Sequence, residues 1–283
     1  MFEHIVVPLD GTPLAEQALG PAVSFAREEG AHLHLTTVER SESVDLEPAV
    51  GILDDDYLEK VAARVRDAGV QNVSTRRITG DKVAEALEGH RKDVGAGLTA
   101  MCTHGRGAVE RAWLGSVADG LIRTSEAPVL LVRAVDEGQS LGDDLGKSAR
   151  FRRVLVALDG SHFSRQSLEP ATHLGGKSAT YVLASVIPGS ADELQKDRTL
   201  AEAKLDFEVQ SFASGGYRVE SVTKFAPSVA QGILDLAEAQ EADVIAIATH
   251  GRAGVSRLIL GSVADKIIRG ADLPVLVVRP PEP

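Results

Sequence analysis

Thr103-His104-Gly105-Arg106, then Leu114-Gly115-Ser116-Val117-Ala118-Asp119, then Pro128-Val129-Leu130, decide the fold, because the chain carries this series twice. The second occurrence is Thr249-His250-Gly251-Arg252, Leu260-Gly261-Ser262-Val263-Ala264-Asp265 and Pro274-Val275-Leu276, each 146 positions on (249 − 103). Upstream, Ile5-Val6-Val7-Pro8-Leu9-Asp10-Gly11 returns as Val154-Leu155-Val156-Ala157-Leu158-Asp159-Gly160, 149 positions on (154 − 5). A period of that length is a duplicated domain, not a solenoid unit.

Each copy alternates strand and helix. In the first, Ile5–Leu9, His32–Val38, Val73–Ile78, Leu98–Cys102 and Val129–Val135 read as strands. Helical spacing of apolar residues marks Leu14–Glu29, Tyr57–Ala68, Val83 to about His90, and Val117–Arg123. Val154–Leu158, Tyr181–Ile187, Val219–Phe225, Val244–Ala248 and Val275–Val278 are the strands of the second copy. Nearly continuous apolar strands separated by helices predict parallel sheets covered on both faces, with right-handed crossovers.

The join is legible as well. Val135 to Arg150 holds Asp136, Glu137, Gly138, Ser140, Gly142, Asp143, Asp144, Gly146 and Ser148, the composition of a solvated linker. The domains are therefore expected at 1–137 and 151–283, with 138–150 between them. A length of 283 residues agrees with two domains at about 150 residues each.

Composition removes several classes of function. Thirty basic against 41 acidic side chains leave a net charge of −11, which argues against a nucleic-acid backbone or an anionic membrane as partner. One cysteine, Cys102, permits neither an intrachain disulfide nor a Cys-based zinc site. Met1-Phe2-Glu3-His4-Ile5 lacks the basic start and apolar run of a signal peptide, and no apolar run reaches the length of a membrane span. These features predict a cytoplasmic protein.

Parallel sheets bind ligands at the carboxyl ends of strands, where the winding reverses. Two segments of each copy belong there: Asp10-Gly11-Thr12 or Asp159-Gly160-Ser161 after strand one, and Cys102 to Ser116 or Ala248 to Ser262 after strand four. Glycine admits close backbone approach, and Gly115-Ser116 and Gly261-Ser262 directly precede helices. Free N–H groups at a helix start, with a hydroxyl beside them, suit an anion such as phosphate. Arg106 and Arg252 add a cation. Ser116 with Asp119, and Ser262 with Asp265, fit a Ser-x-x-acid capping box. On the residues alone, the glycines serve either a phosphate or only turns, and the serines either a ligand or only caps.

These motifs resemble the signature of the universal stress protein family: Gly, two residues, Gly, nine residues, Gly-Ser/Thr. The Asp-Gly-Thr/Ser after strand one and the closing Pro-Val-Leu strand are similar too, and the resemblance covers both halves. It implies two tandem doubly wound five-stranded parallel-sheet α/β domains, of the adenine nucleotide alpha hydrolase-like type, with strand order 3-2-1-4-5. It also implies binding of ATP with Mg2+, or of AMP or ADP, by a stress-response regulator rather than a metabolic enzyme. Carried over, the site residues are Asp10, Thr12, Val38, Gly105, Arg106, Gly115, Ser116 and Val117, then Asp159, Ser161, Val186, Gly251, Arg252, Gly261, Ser262 and Val263. Family members dimerise through strand five, so the two copies are expected to pair through it, with a homodimer of chains as a further step.

The chain departs from the signature in places. The first glycine position is Cys102 in copy one and Ala248 in copy two. A side chain there costs on the order of 1 kcal/mol if the backbone needs a positive φ, and little otherwise. Ala226-Pro227 stands where copy one has Gly80-Asp81. The second copy is expected to bind at least as well as the first, Ala248 being smaller than Cys102. A nucleotide-free interaction protein and a slow ATPase are the alternatives, and no general base is assigned for hydrolysis. His32 and His34 share a strand face and could pair on a metal, but no third ligand is evident in the sequence. His104 and His250 read as positioning groups, Cys102 as a small buried residue, and Trp113 as an anchor or a packing residue.

Overall fold

The computed structural model describes residues 2–40, 55–103, 114–133, 145, 151–189, 195–249 and 260–280. It divides into two compact units, Met1–Arg150 and Phe151–Pro283. Apart from the buried Leu145, the expected linker 138–150 lies outside the described residues.

Unit 1 runs β1 (His4–Pro8), α1 (Pro13–Glu16), α2 (Leu19–Glu29), β2 (His32–Glu39), α3 (Tyr57–Asp67), β3 (Val73–Thr79), α4 (Val83–Asp93), β4 (Leu98–Cys102), α5 (Ser116–Thr124) and β5 (Val129–Val132). Its strands are parallel, in the order β3-β2-β1-β4-β5. Unit 2 repeats the plan with β6 (Arg153–Ala157), α6 (His162–Arg165), α7 (Leu168–Gly175), β7 (Thr180–Pro188), α8 (Gln195–Ser214), β8 (Arg218–Ala226), α9 (Val229–Ala239), β9 (Val244–Ala248), α10 (Ser262–Gly270) and β10 (Val275–Val278). Its order is β8-β7-β6-β9-β10. Each unit is thus the doubly wound α/β fold expected of it. Among the described residues no helix is long and apolar enough to cross a membrane.

The first strand of each unit shows why the sheets form. Ile5, Val6 and Val7 are all 0% exposed, as are Val154, Leu155 and Val156. Successive strand residues point to opposite faces, so burial of three in a row requires cover on both sides. Each such side chain contributes about 1.5–3 kcal/mol relative to an exposed one.

The single helix expected over Leu14–Glu29 is instead two, α1 and α2. Pro21 lies three residues into α2 and has no N–H to give the Gln17 carbonyl. The chain tightens just before it, with Gln17 N–H donating to Leu14 O at 3.2 Å and Ala18 N–H to Ala15 O at 3.3 Å. Pro170 does the same in unit 2, where Gln166 N–H donates to Phe163 O and Ser167 N–H to Ser164 O. Strand five also ends earlier than expected, at Val132.

The capping box is not formed either. Gly115 and Gly261 are the N-caps, with ψ of 151° and 141°, because their carbonyls accept the N–H of Asp119 and Asp265. Ser116 and Ser262 therefore stand one position inside the helix, and the acids they would pair with turn to arginine. Asp119 takes two bonds from Arg123, at 2.7 and 2.9 Å, and Asp265 one from Arg269 at 2.8 Å.

Candidate functional site

The order of unit 1 places β1 between β2 and β4, so the winding reverses at β1 and opens a crevice at the carboxyl ends. The register pairs Ile5 with Leu98 and Val6 with Thr99, which brings the turn after β1 level with the exit from β4. In that turn Asp10 Oδ1 accepts from the Thr12 N–H at 3.0 Å and from the Thr12 hydroxyl at 2.6 Å. Thr12 Oγ1 in turn caps α1 by accepting from Ala15 N–H. Unit 2 repeats the device: Asp159 Oδ1 accepts from Ser161 N–H at 2.9 Å, and Ser161 Oγ caps α6 through Ser164 N–H. Thr12 and Ser161 thus hold the acids of their turns in place. Val38 and Val186 sit near the carboxyl ends of β2 and β7, both half-buried.

On the other wall, Thr103 is fixed to the sheet by its N–H donating to Val132 O, and its carbonyl accepts the Gly115 N–H at 2.7 Å. Thr249 repeats both bonds, to Val278 O and from Gly261 N–H. The segment between therefore leaves and returns at one point, and α5 or α10 begins immediately beyond. The first N–H groups of those helices have no intrahelical partner and face the crevice end of the sheet. A β-carbon on Gly261 would stand 2.7 Å from Thr249 O, and one on Gly115 3.1 Å from Thr103 O. Gly261 leaves no room for a side chain in this turn, and Gly115 leaves room only if its neighbour shifts slightly. Ser116, Ser262 and Val263 are exposed and Val117 half-buried at the helix starts. Gly105, Arg106, Gly251 and Arg252, with His104, His250 and Trp113, lie outside the described residues.

The first glycine position carries no strain. Cys102 and Ala248 close β4 and β9 in extended backbone, and Glu241 is the described non-glycine residue with positive φ. Cys102 is buried, and that burial pushes its thiol up to about 12, with the Asp10 carboxylate adding to the effect. A thiol held protonated is a poor nucleophile, which agrees with its reading as a packing residue.

Ala226 is compensated by a second change. In unit 1 a β-carbon on Gly80 would stand 2.8 Å from the Ala86 methyl; in unit 2 one on Gly232 would stand 3.0 Å from the Ala226 methyl. The methyl has moved across the contact, so the helix after strand three packs equally close in both units. Val186 shares that contact, its Cγ1 standing 2.6 Å from the same point. Gly80→Ala should lower the stability of the chain by about 1–3 kcal/mol through overpacking. Adding Ala86→Gly should recover part of that, less about 1 kcal/mol for a helical glycine. Urea unfolding of the two variants checks this, and a double variant no more stable than the single would exclude the compensation.

Two charged arrangements at these turns could not be read from spacing alone. In unit 1 Glu16 accepts from the Tyr57 hydroxyl at 3.0 Å and from Arg64 at 2.7 Å. Burial, then the Glu16 carboxylate, raises the Tyr57 phenol above its ordinary range. In unit 2 the equivalent position is Arg165, paired with Glu208 at 2.6 Å, and Lys204 Nζ lies 3.0 Å from where a Gly160 β-carbon would be. The turn of unit 2 therefore has an ammonium beside it. The His32 and His34 pair also differs from expectation, because His4 on β1 supplies a third imidazole next to it.

Fold and crevice together define a tandem α/β protein with a switch-point site repeated in each half. Residues 1–133 and 150–279 match the model of the Universal stress protein family, and the chain belongs to that family. Universal stress protein MJ0531 of Methanocaldococcus jannaschii is 45% identical over 147 residues, which is 47% of this chain and 83% of that protein. Universal stress protein Rv2005c of Mycobacterium tuberculosis is 25% identical over 196 residues, 65% of this chain and 62% of that protein, so the match spans less than two thirds of it. In fold the chain is similar to a universal stress protein from Archaeoglobus fulgidus, with a TM-score of 0.70 at 21% identity, over 99% of each chain.

Proposed function

We propose that the chain is a stress-response regulator of the cytoplasm that binds an adenine nucleotide, ATP with Mg2+, or ADP or AMP, at the carboxyl ends of the strands, in unit 2 at least as well as in unit 1. The observation that carries this reading is the Gly261 turn. Its backbone has no room for a side chain, and it delivers the free N–H groups of α10 and the Ser262 hydroxyl to one end of the crevice. Those donors suit a polyphosphate. Asp159 at the opposing turn suits a ribose hydroxyl, and Lys204 brings an ammonium beside Gly160. Asp10, Gly115 and Ser116 make the unit 1 version. Binding rather than turnover is the proposed activity, and a slow ATPase is the alternative that steady phosphate release would reveal.

Nucleotide released on denaturing the purified chain, identified by mass spectrometry, is the direct test. An adenine nucleotide at up to two equivalents is the expected result, with calorimetric titration of ATP, ADP and AMP ranking them. Neither released nucleotide nor titration heat would replace this reading with that of a nucleotide-free interaction protein.

A further inference from the structure

We propose that unit 1 carries a zinc site formed by His4, His32 and His34, at the amino ends of its strands and so at the opposite end of the sheet from the nucleotide crevice. The site follows from strand register. Parallel pairing places His4 of β1 directly beside His32 of β2, and His34, two residues on, shares the face of His32. One ring nitrogen from each imidazole lies within 4.8 Å of the other two. The rings of His32 and His34 stack at 4.3 Å between centroids, and His4 stands 5.3 Å from His34 and 5.6 Å from His32.

The surroundings orient these rings as a metal site would need. Ser74 of β3 is paired in register with His34. Its hydroxyl lies 3.0 Å from His34 Nδ1 and 3.0 Å from His32 Nε2. That contact leaves His34 Nε2 turned toward His4 Nδ1, 3.0 Å away. Such outer partners fix which nitrogen of a ligating histidine offers its lone pair. His34 is buried and fixed, whereas His4 and His32 are half-buried and can turn. Zinc–nitrogen bonds of about 2.1 Å need nitrogens roughly 3.4 Å apart, so the His4–His34 pair at 3.0 Å must open slightly and any wider pair must close, small moves for the two outer rings. With three protein ligands the fourth position goes to water, the arrangement of open zinc sites.

Burial, and then the neighbouring imidazoles, hold His34 down at about 4, and the same causes lower His32. Since His34 Nε2 and His4 Nδ1 share one hydrogen bond, metal binding through both moves that proton to the other nitrogen of one ring. A fourth, His90 on α4, stands edge-on to His34 at 6.3 Å, and its Nε2 is buried without a hydrogen-bond partner among the described residues. Unit 2 has no counterpart: its register pairs Arg153 with Thr180, and Val182 holds the place of His34. Imidazole sets of this kind suit zinc, with cobalt as a spectroscopic stand-in.

The test uses the full chain, free of affinity tags and stripped of metal, titrated with Zn2+ by calorimetry and with Co2+ by visible absorption at pH 7.5. One equivalent of Zn2+, with Co2+ bands of a four-coordinate site, is the expected result. His4→Asn and His32→Asn should each weaken binding by about a hundredfold and remove the bands, and Ser74→Ala should weaken it about tenfold. His162→Asn should change nothing, and far-UV circular dichroism establishes that the variants are folded. ATP titration of the same variants should match wild type, which keeps this site separate from the nucleotide reading. Binding weaker than about 100 µM, or affinity unchanged in the His4→Asn/His32→Asn double variant, would overturn the proposal and leave a hydrogen-bonded stack of histidines.

Discussion

Gly261→Val is expected to remove nucleotide binding from unit 2, and to do so through the backbone before any ligand arrives. Its β-carbon would stand 2.7 Å from the Thr249 carbonyl oxygen, closer than real β-carbons come. That same oxygen accepts the Gly261 N–H at 3.0 Å. Relieving the overlap breaks the bond and swings the start of α10 away from the end of β9. The free N–H groups are then displaced from the crevice end that the proposed nucleotide reading needs. Overpacking of this kind costs about 1–3 kcal/mol of stability, so the melting temperature should fall as well. Gly115→Val should be milder, since the equivalent approach is 3.1 Å and leaves room for a small shift. Calorimetric titration of ATP into both variants, with thermal melts of the unliganded proteins, separates the two. Wild-type stoichiometry in Gly261→Val would exclude unit 2 as a nucleotide site.

Glu88→Ala should be the most damaging single substitution away from the crevice. Glu88 and Arg91 lie on α4, each side chain 10% exposed, and form a two-pronged pair with both bonds at 2.8 Å. Arg91 also donates to Ala96 O at 2.7 Å, and Glu88 accepts the Glu126 N–H, so the pair ties the segments that lead into β4 and β5 to the helix. Removing one partner strands a buried guanidinium, at a cost of about 3–5 kcal/mol. Replacing both, as Glu88→Leu with Arg91→Met, should cost less than the single change, and urea unfolding of the cycle measures the coupling.

The pair also has a defined response to acid. Burial pushes the Glu88 carboxyl up, but hydrogen bonds from Arg91 and Ser125 and the Arg91 charge outweigh it and hold it below the usual carboxylate range. A carboxylate depressed on folding stabilises the protein fully above its unfolded pKa and loses that contribution as pH falls through the folded value. The stability gap between wild type and Glu88→Ala should therefore narrow as pH drops below about 4.3.

Much of this architecture was legible because the chain states it twice. Repetition of the Asp-Gly turn and the Gly-Ser helix start located both crevices, and unbroken apolar runs such as Ile5-Val6-Val7 gave the covered parallel strands. What escaped depends on partners far apart in sequence, or on one backbone atom. Pro21 falls on the apolar stripe of α2 without disturbing its spacing, so periodicity alone does not reveal the missing N–H that divides the helix. The serine at each helix start has the composition of a cap, but the glycine before it carries the capping carbonyl. His4 belongs with His32 only once β1 and β2 are adjacent and in register. Glu16, Tyr57 and Arg64 meet across 41 and 48 residues of chain.

The bond from Gly115 N–H to Thr103 O closes the loop between them at its root, and the Gly261 to Thr249 bond does the same in the other half. A segment tied off in this way behaves as a replaceable cassette. Doubling the length of such a closed segment costs only about 0.6 kcal/mol in chain entropy, while the strands that carry it are untouched. If the crevices bind nucleotide as proposed, their preference is therefore open to change by rewriting the enclosed residues in one half, with the other half and both sheets left as they were. On the proposed nucleotide reading, grafting the enclosed residues of one half into the other is expected to exchange the nucleotide preference of the halves, with calorimetric titration of ATP as the check.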